Sequence, residues 1–494
     1  MPSIDAFRRF LLPALLVMLA AAWLGGGVTE DETAIDEWLQ LLALPLLVAG
    51  VALLVAECPQ DRYRRFGLAA VAAIIAVPLL QLLPVPGSWW NLPVAREALA
   101  ADLGQAGVAS FRDRWTLSPH ATESALLALL PALAAFVAAM GLQASHRRRL
   151  VQALLVLVLF NVGFAFFQAG LPQGSGLRLY PDFDARFGGL FANTNHQATA
   201  CVIGMVLAVG LAVEARQRAE RGETRPFMPW WYWGVAFGLL LMVPLSTSRA
   251  GMAIALPALA AALLFTGALR FSRIRRSKRM TALAIGVGAL AIIGVRAASG
   301  WMAVDEVDGL RTLIRNVTLE TGQAHSPLGS GLGSFVPVFE SSSPPSLWLA
   351  QYVNHAHNEY VQWWLEAGWL GMLVLASVLA LLAACGWRIL RLRLRGGNAI
   401  LAAACFVCIC VVLGHSWADY PLRTTTLMAT TAALAGLMLA ALADAASKDA
   451  GRRRIADGRP RRSKSDPARL TDGDMGKGHG PHDAADALHG QGAA

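Results

Sequence analysis

The sequence predicts an all-α polytopic membrane protein of about twelve transmembrane helices, and three observations carry that prediction. The 494 residues are 55% hydrophobic and only 15% charged, with a mean hydropathy of +0.48, a balance that a water-facing surface does not accommodate. Apolar runs of roughly 17 to 25 residues recur along the chain, each long enough to cross a hydrocarbon layer as a helix. Arginine clusters fall between alternate runs, the pattern that the positive-inside rule sets for a multi-pass protein.

In order, the expected spans lie near residues 10–25, 38–56, 67–84, 123–142, 149–167, 195–214, 229–245, 250–268, 280–297, 367–386, 398–415 and 424–443. The first follows Arg8 and Arg9 and is short enough to resemble a signal peptide; an uncleaved signal anchor is the expectation. Arg62, Arg64 and Arg65 follow the second span, and Arg147 to Arg149 the fourth. Arg216 to Arg225 follow the sixth, Arg270 to Arg279 the eighth, and Arg388 to Arg395 the tenth. Every cluster follows an even-numbered span, so both termini are expected in the cytoplasm and the odd-numbered connections on the opposite side. The longest outward connection, about 298–366, precedes the tenth span and mixes aromatic residues and leucine with polar ones, which predicts an ordered periplasmic loop. Residues 1–443 are thus expected to form one transmembrane domain. The stretch 444–494 is rich in Arg, Lys, Asp, Gly and His and lacks apolar periodicity, so it is expected to be a disordered basic cytoplasmic tail.

The net charge of +9 and the isoelectric point near 9.6 arise from these short connections, which makes them an orientation signal and argues against nucleic acid as a partner. Membrane lipid is the partner that the composition implies. Cys58, Cys201, Cys385, Cys405, Cys408 and Cys410 all lie within or beside apolar runs, and no disulfide framework is implied. Cys405, Cys408 and Cys410 lack polar neighbours and read as small packing residues in preference to a metal cluster.

By this topology every lysine is cytoplasmic or in the tail, whereas the outward side carries only arginine: Arg96, Arg112, Arg114, Arg178, Arg186, Arg249, Arg296, Arg311, Arg315 and Arg423. The planar fork of a guanidinium matches phosphate oxygens, so such a face suits an anionic, phosphate-bearing ligand. The alternative is that excluding lysine is itself part of the orientation signal. Arg249 lies in Ser246-Thr247-Ser248-Arg249-Ala250-Gly251, a polar break between two closely spaced apolar runs, where a buried arginine needs an anionic partner. Arg186 precedes Phe187-Gly188-Gly189-Leu190-Phe191-Ala192-Asn193-Thr194-Asn195-His196, in which Asn193 and Asn195 supply donors and acceptors just before a span. Arg311 and Arg315 are four apart and share a face if 307–320 is helical. A structural ion pair with a nearby carboxylate is the competing role for each of these arginines.

The long connection contains Pro327-Leu328-Gly329-Ser330-Gly331-Leu332-Gly333-Ser334-Phe335, a glycine run without the Lys-Ser/Thr of a nucleotide loop. His355-Ala356-His357-Asn358-Glu359-Tyr360 follows it. A neutral imidazole takes a proton from a hydroxyl near pH 7, which makes His357 or His355 a candidate general base. A structural histidine and a metal ligand are the alternatives; at i and i+2 on a helix the two rings would face apart, and no third ligand is evident. Asp182-Phe183-Asp184 has the form of a cation-holding Asp-x-Asp, a triplet common by chance.

The ordered set of Arg186 to His196, Ser246 to Gly251, Arg311, Pro327 to Phe335, and His357-Asn358-Glu359-Tyr360-Val361-Gln362 with Glu366-Ala367-Gly368 resembles the O-antigen ligase and polymerase superfamily over about residues 120–440. One departure stands out: the family pattern usually has Asn-Pro-Asn where this chain has Asn193-Thr194-Asn195. The resemblance implies a metal-independent, cofactor-free glycosyltransferase of the GT-C type in a bacterial inner membrane, with its active site in the periplasm. Its donor would be an undecaprenyl-diphosphate-linked glycan and its acceptor a glycan or a lipid A-core-like sugar. Carried onto matching positions, His357 would activate the acceptor hydroxyl, and Arg186, Arg249 and Arg311 would hold the diphosphate. Asn358, His355, Asn193, Asn195 and Arg315 would support them.

An O-antigen or exopolysaccharide polymerase and a protein O-oligosaccharyltransferase share this machinery, and the sequence leaves the acceptor open. A lipid-linked glycan flippase or other transporter would also have about twelve spans, but it should carry ionisable groups near mid-membrane and show related halves. Here the span centres are almost free of charge and the outward connections are unequal.

Overall fold

The structure is a computed structural model that describes residues 4–28, 34–108, 114–172, 174–180, 187–269, 306–348, 352–392 and 396–456. The chain divides into two compact units, Met1–Asp449 and Ala450–Ala494, and the residues of interest lie in the first. The helices of the described residues are α1 (Ile4–Gly25), α2 (Ala34–Glu57), α3 (Arg62–Gln81), α4 (Gly87–Trp90), α5 (Val94–Gln105), α6 (Pro119–Leu127), α7 (Leu130–Gly141) and α8 (Ala144–Ala169). They continue with α9 (Thr194–Ala219), α10 (Met228–Met242), α11 (Arg249–Phe265), α12 (Glu306–Ala324), α13 (Phe335–Ser342), α14 (Glu359–Arg391), α15 (Gly397–His415) and α16 (Thr425–Ala456). Among the described residues 10 helices are long and apolar enough to cross a membrane, and they coincide with ten of the expected spans. The eighth expected span is the shorter apolar helix α11, and the ninth, near 280–297, lies outside the described residues.

The bundle is built around α9, whose apolar window is 94% buried. Small residues along α9 allow this: Gly204 packs against Val158 of α8 and Leu239 of α10, and Gly210 against Ala404 of α15. Helices α8, α10, α11 and α15 surround it, while α1, α2 and α7 form a second group. Gly436 of α16 packs on the backbone of α7 at Phe136 and Met140. All six cysteines are free thiols.

The two ends of the bundle differ in chemistry. At the end where α9 finishes, Arg147 Nη1 meets Asp444 Oδ2 at 2.7 Å, Arg148 Nε meets Glu214 Oε2 at 3.1 Å, and Arg388 Nη2 meets Asp449 Oδ2 at 3.4 Å. At the end where α9 begins, short connections bond to one another: Ala192 N donates to Gly27 O at 3.2 Å, and Thr426 N to Gly26 O at 3.1 Å. One expected boundary needs correcting. Helix α16 does not stop near 443 but runs to Ala456, because the alanine-rich stretch favours helix and its Asp444 and Asp449 are held by Arg147 and Arg388. Residues 457–494 lie outside the described residues.

The long connection before the tenth expected span holds α12, α13 and a 3-10 turn at Pro345–Leu347. It has a small core of its own, with Ile314, Phe335, Val338, Phe339, Leu347, Val353, Ala356 and Leu365. Helix α14 is broken at Gly368 (φ 56, ψ −151), which separates a short leading segment from the apolar run. A Cβ at Gly368 would collide with the backbone at Leu328 and Gly329, so glycine is required both for the positive φ and for the close approach. The glycine run docks at this break. Ser330 N donates to Leu365 O and Gly331 N to Glu366 O, each at 2.9 Å, and Leu332 N donates to Gln81 Oε1 at 2.9 Å. Three successive amides are thus engaged by the protein, and the run acts as a brace for α14.

Candidate active site

Asp419, in the connection between α15 and α16, is fully buried at the end where α9 begins. The Asn-x-Asn turn that starts α9 serves it. Asn193 Oδ1 caps the helix by accepting Asn195 N at 2.8 Å, which leaves its amide nitrogen to donate to Asp419 Oδ2 at 3.1 Å. Asn195 Nδ2 donates to the same oxygen. Asp419 Oδ1 accepts its neighbour Tyr420 N at 2.9 Å and lies 3.5 Å from His357 Nδ1. Burial alone would push the Asp419 carboxyl up, but the facing His357 imidazole and the charges of His196 and His415 outweigh it. The net result is a carboxylate held well below its usual range.

His357 sits opposite that carboxylate with 19% of its side chain exposed. Its backbone has φ +50, a left-handed conformation that costs a non-glycine residue about 1 to 2 kcal/mol. The surroundings impose it. Asn358 caps α14 by accepting Tyr360 N and Val361 N at 3.1 Å, and its amide donates to Trp417 O at 2.8 Å. Glu359 N donates to Ser416 O at 2.9 Å, and Leu422 N to Glu359 Oε1 at 2.6 Å. The turn that bears His357 is thereby stitched to the turn that bears Asp419. A carboxylate facing Nδ1 favours the tautomer with the proton there and leaves Nε2 as the basic nitrogen. The 3.5 Å separation is longer than an ordinary hydrogen bond, a slackness common before substrate binds.

The neighbouring His355 is in a different setting. Its Nδ1 lies 3.3 Å from Gln362 Nε2, and its ring is 4.4 Å from Tyr420. Desolvation first, then the charges of Arg423 and His357, hold it well below the ordinary histidine range, so it stays neutral. Gln362 also reaches Glu366, which Arg423 binds at 2.8 Å. The Tyr420 ring is flanked by three imidazoles, with His196 at 5.2 Å and His357 at 5.0 Å besides His355. His196 is buried with neither ring nitrogen bonded among the described residues, and His415 Nδ1 lies 2.6 Å from Thr199 Oγ1.

The arginines expected to form one face separate into groups. Arg96 is buried, donating to Trp115 O at 2.6 Å and Gly329 O at 2.9 Å over the Trp90 ring; burial lowers its pKa to about 10. It braces the glycine run. Arg114 pairs with Glu123 at 3.5 Å, Arg178 donates to Leu171 O, and Arg423 pairs with Glu366. For these four the structural role accounts for the side chain. Arg311 and Arg315 are on α12, which is helical as the shared-face reading requires, and neither has a carboxylate partner among the described residues. Arg311 is within electrostatic reach of His415. Arg249 opens α11, behind Thr247 (φ +57) and the cap from Ser248 Oγ to Gly251 N at 2.9 Å. Gly251 packs on Ala198, one turn from Asn195, so the start of α11 adjoins the start of α9. Arg186, Arg112, Arg296, Asp182 and Asp184 lie outside the described residues. The residues after Arg186 are anchored, with Leu190 N donating to Asn161 Oδ1 at 2.8 Å.

Residues 234–376 match a family model described as O-antigen ligase. That match supports membership of the O-antigen ligase and polymerase superfamily. No curated protein matches the chain. The family is one of membrane glycosyltransferases acting with lipid-linked glycan and acceptor substrates, and the apolar helices fit a multi-pass bacterial membrane protein. The match covers Arg249, Arg311, Arg315, the glycine run and the His355 to Glu366 segment. Asn193, Asn195 and Asp419 fall outside it, yet the fold brings all three to His357. Sequence reasoning passed over Asp419, His415 and the Gln362 to Arg423 chain. A signal was present, since Asp419 is the single carboxylate in the short polar connection at 416–423.

Proposed function

We propose that this protein is a metal-independent inverting glycosyltransferase of the O-antigen ligase type. It moves a glycan from undecaprenyl diphosphate to a sugar of a lipid A-core-like acceptor, on the periplasmic side of the bacterial inner membrane with both termini in the cytoplasm. The observation that carries the reading is a half-open imidazole, His357, backed at Nδ1 by the buried Asp419 carboxylate. His357 Nε2 takes the proton of the acceptor hydroxyl as that oxygen bonds to the anomeric carbon. The bond from that carbon to the diphosphate breaks from the opposite face, its electron pair leaves on the diphosphate, and the configuration inverts. Asp419 stabilises the imidazolium so formed. Arg249 and Arg311, with Arg186 beyond the described residues, hold the diphosphate and stabilise the charge that grows on it. Asn193 and Asn195 act through Asp419, Asn358 through the α14 cap, His355 as a neutral neighbour, and Arg315 extends the cationic face of α12.

The test is glycan attachment in cells that carry the His357→Ala or Arg249→Ala variant at normal expression. Both are expected to lose transfer, and wild-type attachment by both would sink the mechanism. The product identifies the acceptor: glycan on lipid A-core supports the ligase, whereas lengthened glycan still on its lipid carrier would indicate a polymerase. Transfer by purified protein is expected to persist in chelator.

A further inference from the structure

The connection between α15 and α16 buries most of what it carries. Ser416, Asp419, Tyr420 and Thr424 are all buried, but Trp417 is 65% exposed. It is nevertheless held in a fixed place. Its carbonyl accepts Asn358 Nδ2 at 2.8 Å, and the adjacent Ser416 O accepts Glu359 N at 2.9 Å, so Trp417 is tied to the two residues that follow His357. The Tyr360 ring lies 6.1 Å from the indole, and Tyr360 itself is anchored by donating its hydroxyl to Leu413 O at 2.6 Å.

An open indole on a turn bonded to the turn of the base has a chemical meaning. A base that takes a proton from a hydroxyl must come within roughly 3 Å of it, so the sugar bearing that hydroxyl lies within one ring's length of His357. Pyranose rings present apolar C–H faces with hydroxyls at the rim, and a rigid aromatic surface with a polar edge suits such a ring. We propose that Trp417 is the platform on which the sugar ring of the acceptor stacks, which sets the distance of its hydroxyl from His357 Nε2. This rests on the reading of His357 as the acceptor's base. Acceptor and not donor is assigned because Trp417 is bonded to the His357 turn, whereas the arginines taken to hold the donor's diphosphate lie on α11 and α12.

Tryptophan at a membrane surface also anchors helix ends to headgroups, and the experiment separates the two roles. Full-length protein in lipid nanodiscs is assayed with the lipid-diphosphate glycan as donor. Two acceptor probes are offered: core oligosaccharide released from the cell's lipopolysaccharide, and the free repeat unit of its surface polysaccharide. KM for each substrate is measured for Trp417→Phe, Trp417→Leu and Trp417→Ala with whichever probe the wild type glycosylates. Stacking predicts that the Leu and Ala variants raise the acceptor KM at least tenfold, leave the donor KM within twofold, and that Phe stays within threefold of wild type. A Leu variant that performs as well as Phe, an Ala variant with unchanged acceptor KM, or a shift confined to the donor KM would overturn the platform. His357→Ala is run alongside. Wild-type turnover by that variant refutes His357 as the acceptor's base, and wild-type protein that glycosylates neither probe refutes the sugar acceptor on which the platform rests, outcomes distinct from any pattern among the Trp417 variants.

Discussion

The two ends of the bundle treat charge differently, although each contains arginine–carboxylate pairs, Arg423 with Glu366 being one where α9 begins. Where α9 finishes, arginines and carboxylates neutralise each other: Arg147 with Asp444, Arg148 and Arg218 with Glu214, Arg388 with Asp449. Where α9 begins, the buried carboxylate Asp419 is served by two amides and faces an imidazole, while Arg311 and Arg315 have no carboxylate partner among the described residues. The first arrangement is self-satisfied and serves the fold. The second sets an imidazole against a buried carboxylate at the end where the proposed anionic substrate would bind. Positive φ at non-glycine residues occurs at both ends, at Thr247 and His357 where α9 begins and at Cys58 near the ion-paired end.

The largest effect that would break this comparison is expected from His357→Ala. Loss of a general base lowers turnover by about 10² to 10⁴-fold, and purified variant should lie near the middle of that range with its thermal stability intact. Turnover within tenfold of wild type would mean that the two ends differ in charge but not in role.

Asp419→Asn comes next, with a fall of about 10²-fold in kcat and little change in acceptor KM, because the base remains but its imidazolium loses its counter-charge. The same variant reports on pH. Folded Asp419 gives up its proton at lower pH than an unfolded aspartate near 3.9. Its stabilising contribution is therefore complete above about pH 4 and is lost as pH falls below that. Melting curves between about pH 4 and pH 2 should show wild type losing stability faster than Asp419→Asn; parallel curves would deny that the carboxylate is ionised in the fold.

At the other end the expected effect is on stability alone. Arg147→Met removes the bond to Asp444 and the donation from Nε to Leu142 O at 3.1 Å. Breaking a buried pair costs 3 to 5 kcal/mol, but Asp444 is partly solvated, so a loss of about 2 kcal/mol is expected. Transfer per folded molecule should match wild type. A Met variant that melts normally but transfers slowly would place function at the ion-paired end.

Ten of the expected spans were legible because bilayer thickness sets one length for every apolar run. Even the start of the tenth span, expected near 367, falls at the Gly368 break. The His357 turn was legible too, as a polar cluster ahead of an apolar run. The roles of its neighbours were not. Asn193, Asn195 and Asn358 look alike in sequence, yet two serve Asp419 while the third caps α14 and bonds to Trp417, because their partner lies more than two hundred residues away from the first two. Arg96 and Arg311 likewise belong to one compositional class. Only the fold shows that Arg96 braces Gly329 and Trp115. The tail boundary was missed because charge and alanine, read as solvated coil, also make a helix once Arg147 and Arg388 hold its aspartates.

The smallest effect concerns the turn that presents Arg249. Thr247 holds φ +57 and its exposed hydroxyl donates to the adjacent Ser246 O at 2.7 Å. Glycine relieves a left-handed cost of about 1 to 2 kcal/mol but adds about 0.5 to 1 kcal/mol of unfolded-chain entropy, so Thr247→Gly should stabilise by about half a kcal/mol. The turn itself should survive, because Ser248 still caps α11 at Gly251 N and Ser246 Oγ still donates to Val243 O at 2.6 Å. Transfer is expected to stay within twofold of wild type with a melting point raised by a degree or so. If stability rises as expected but transfer falls tenfold, the strain at Thr247 is part of how Arg249 meets its ligand.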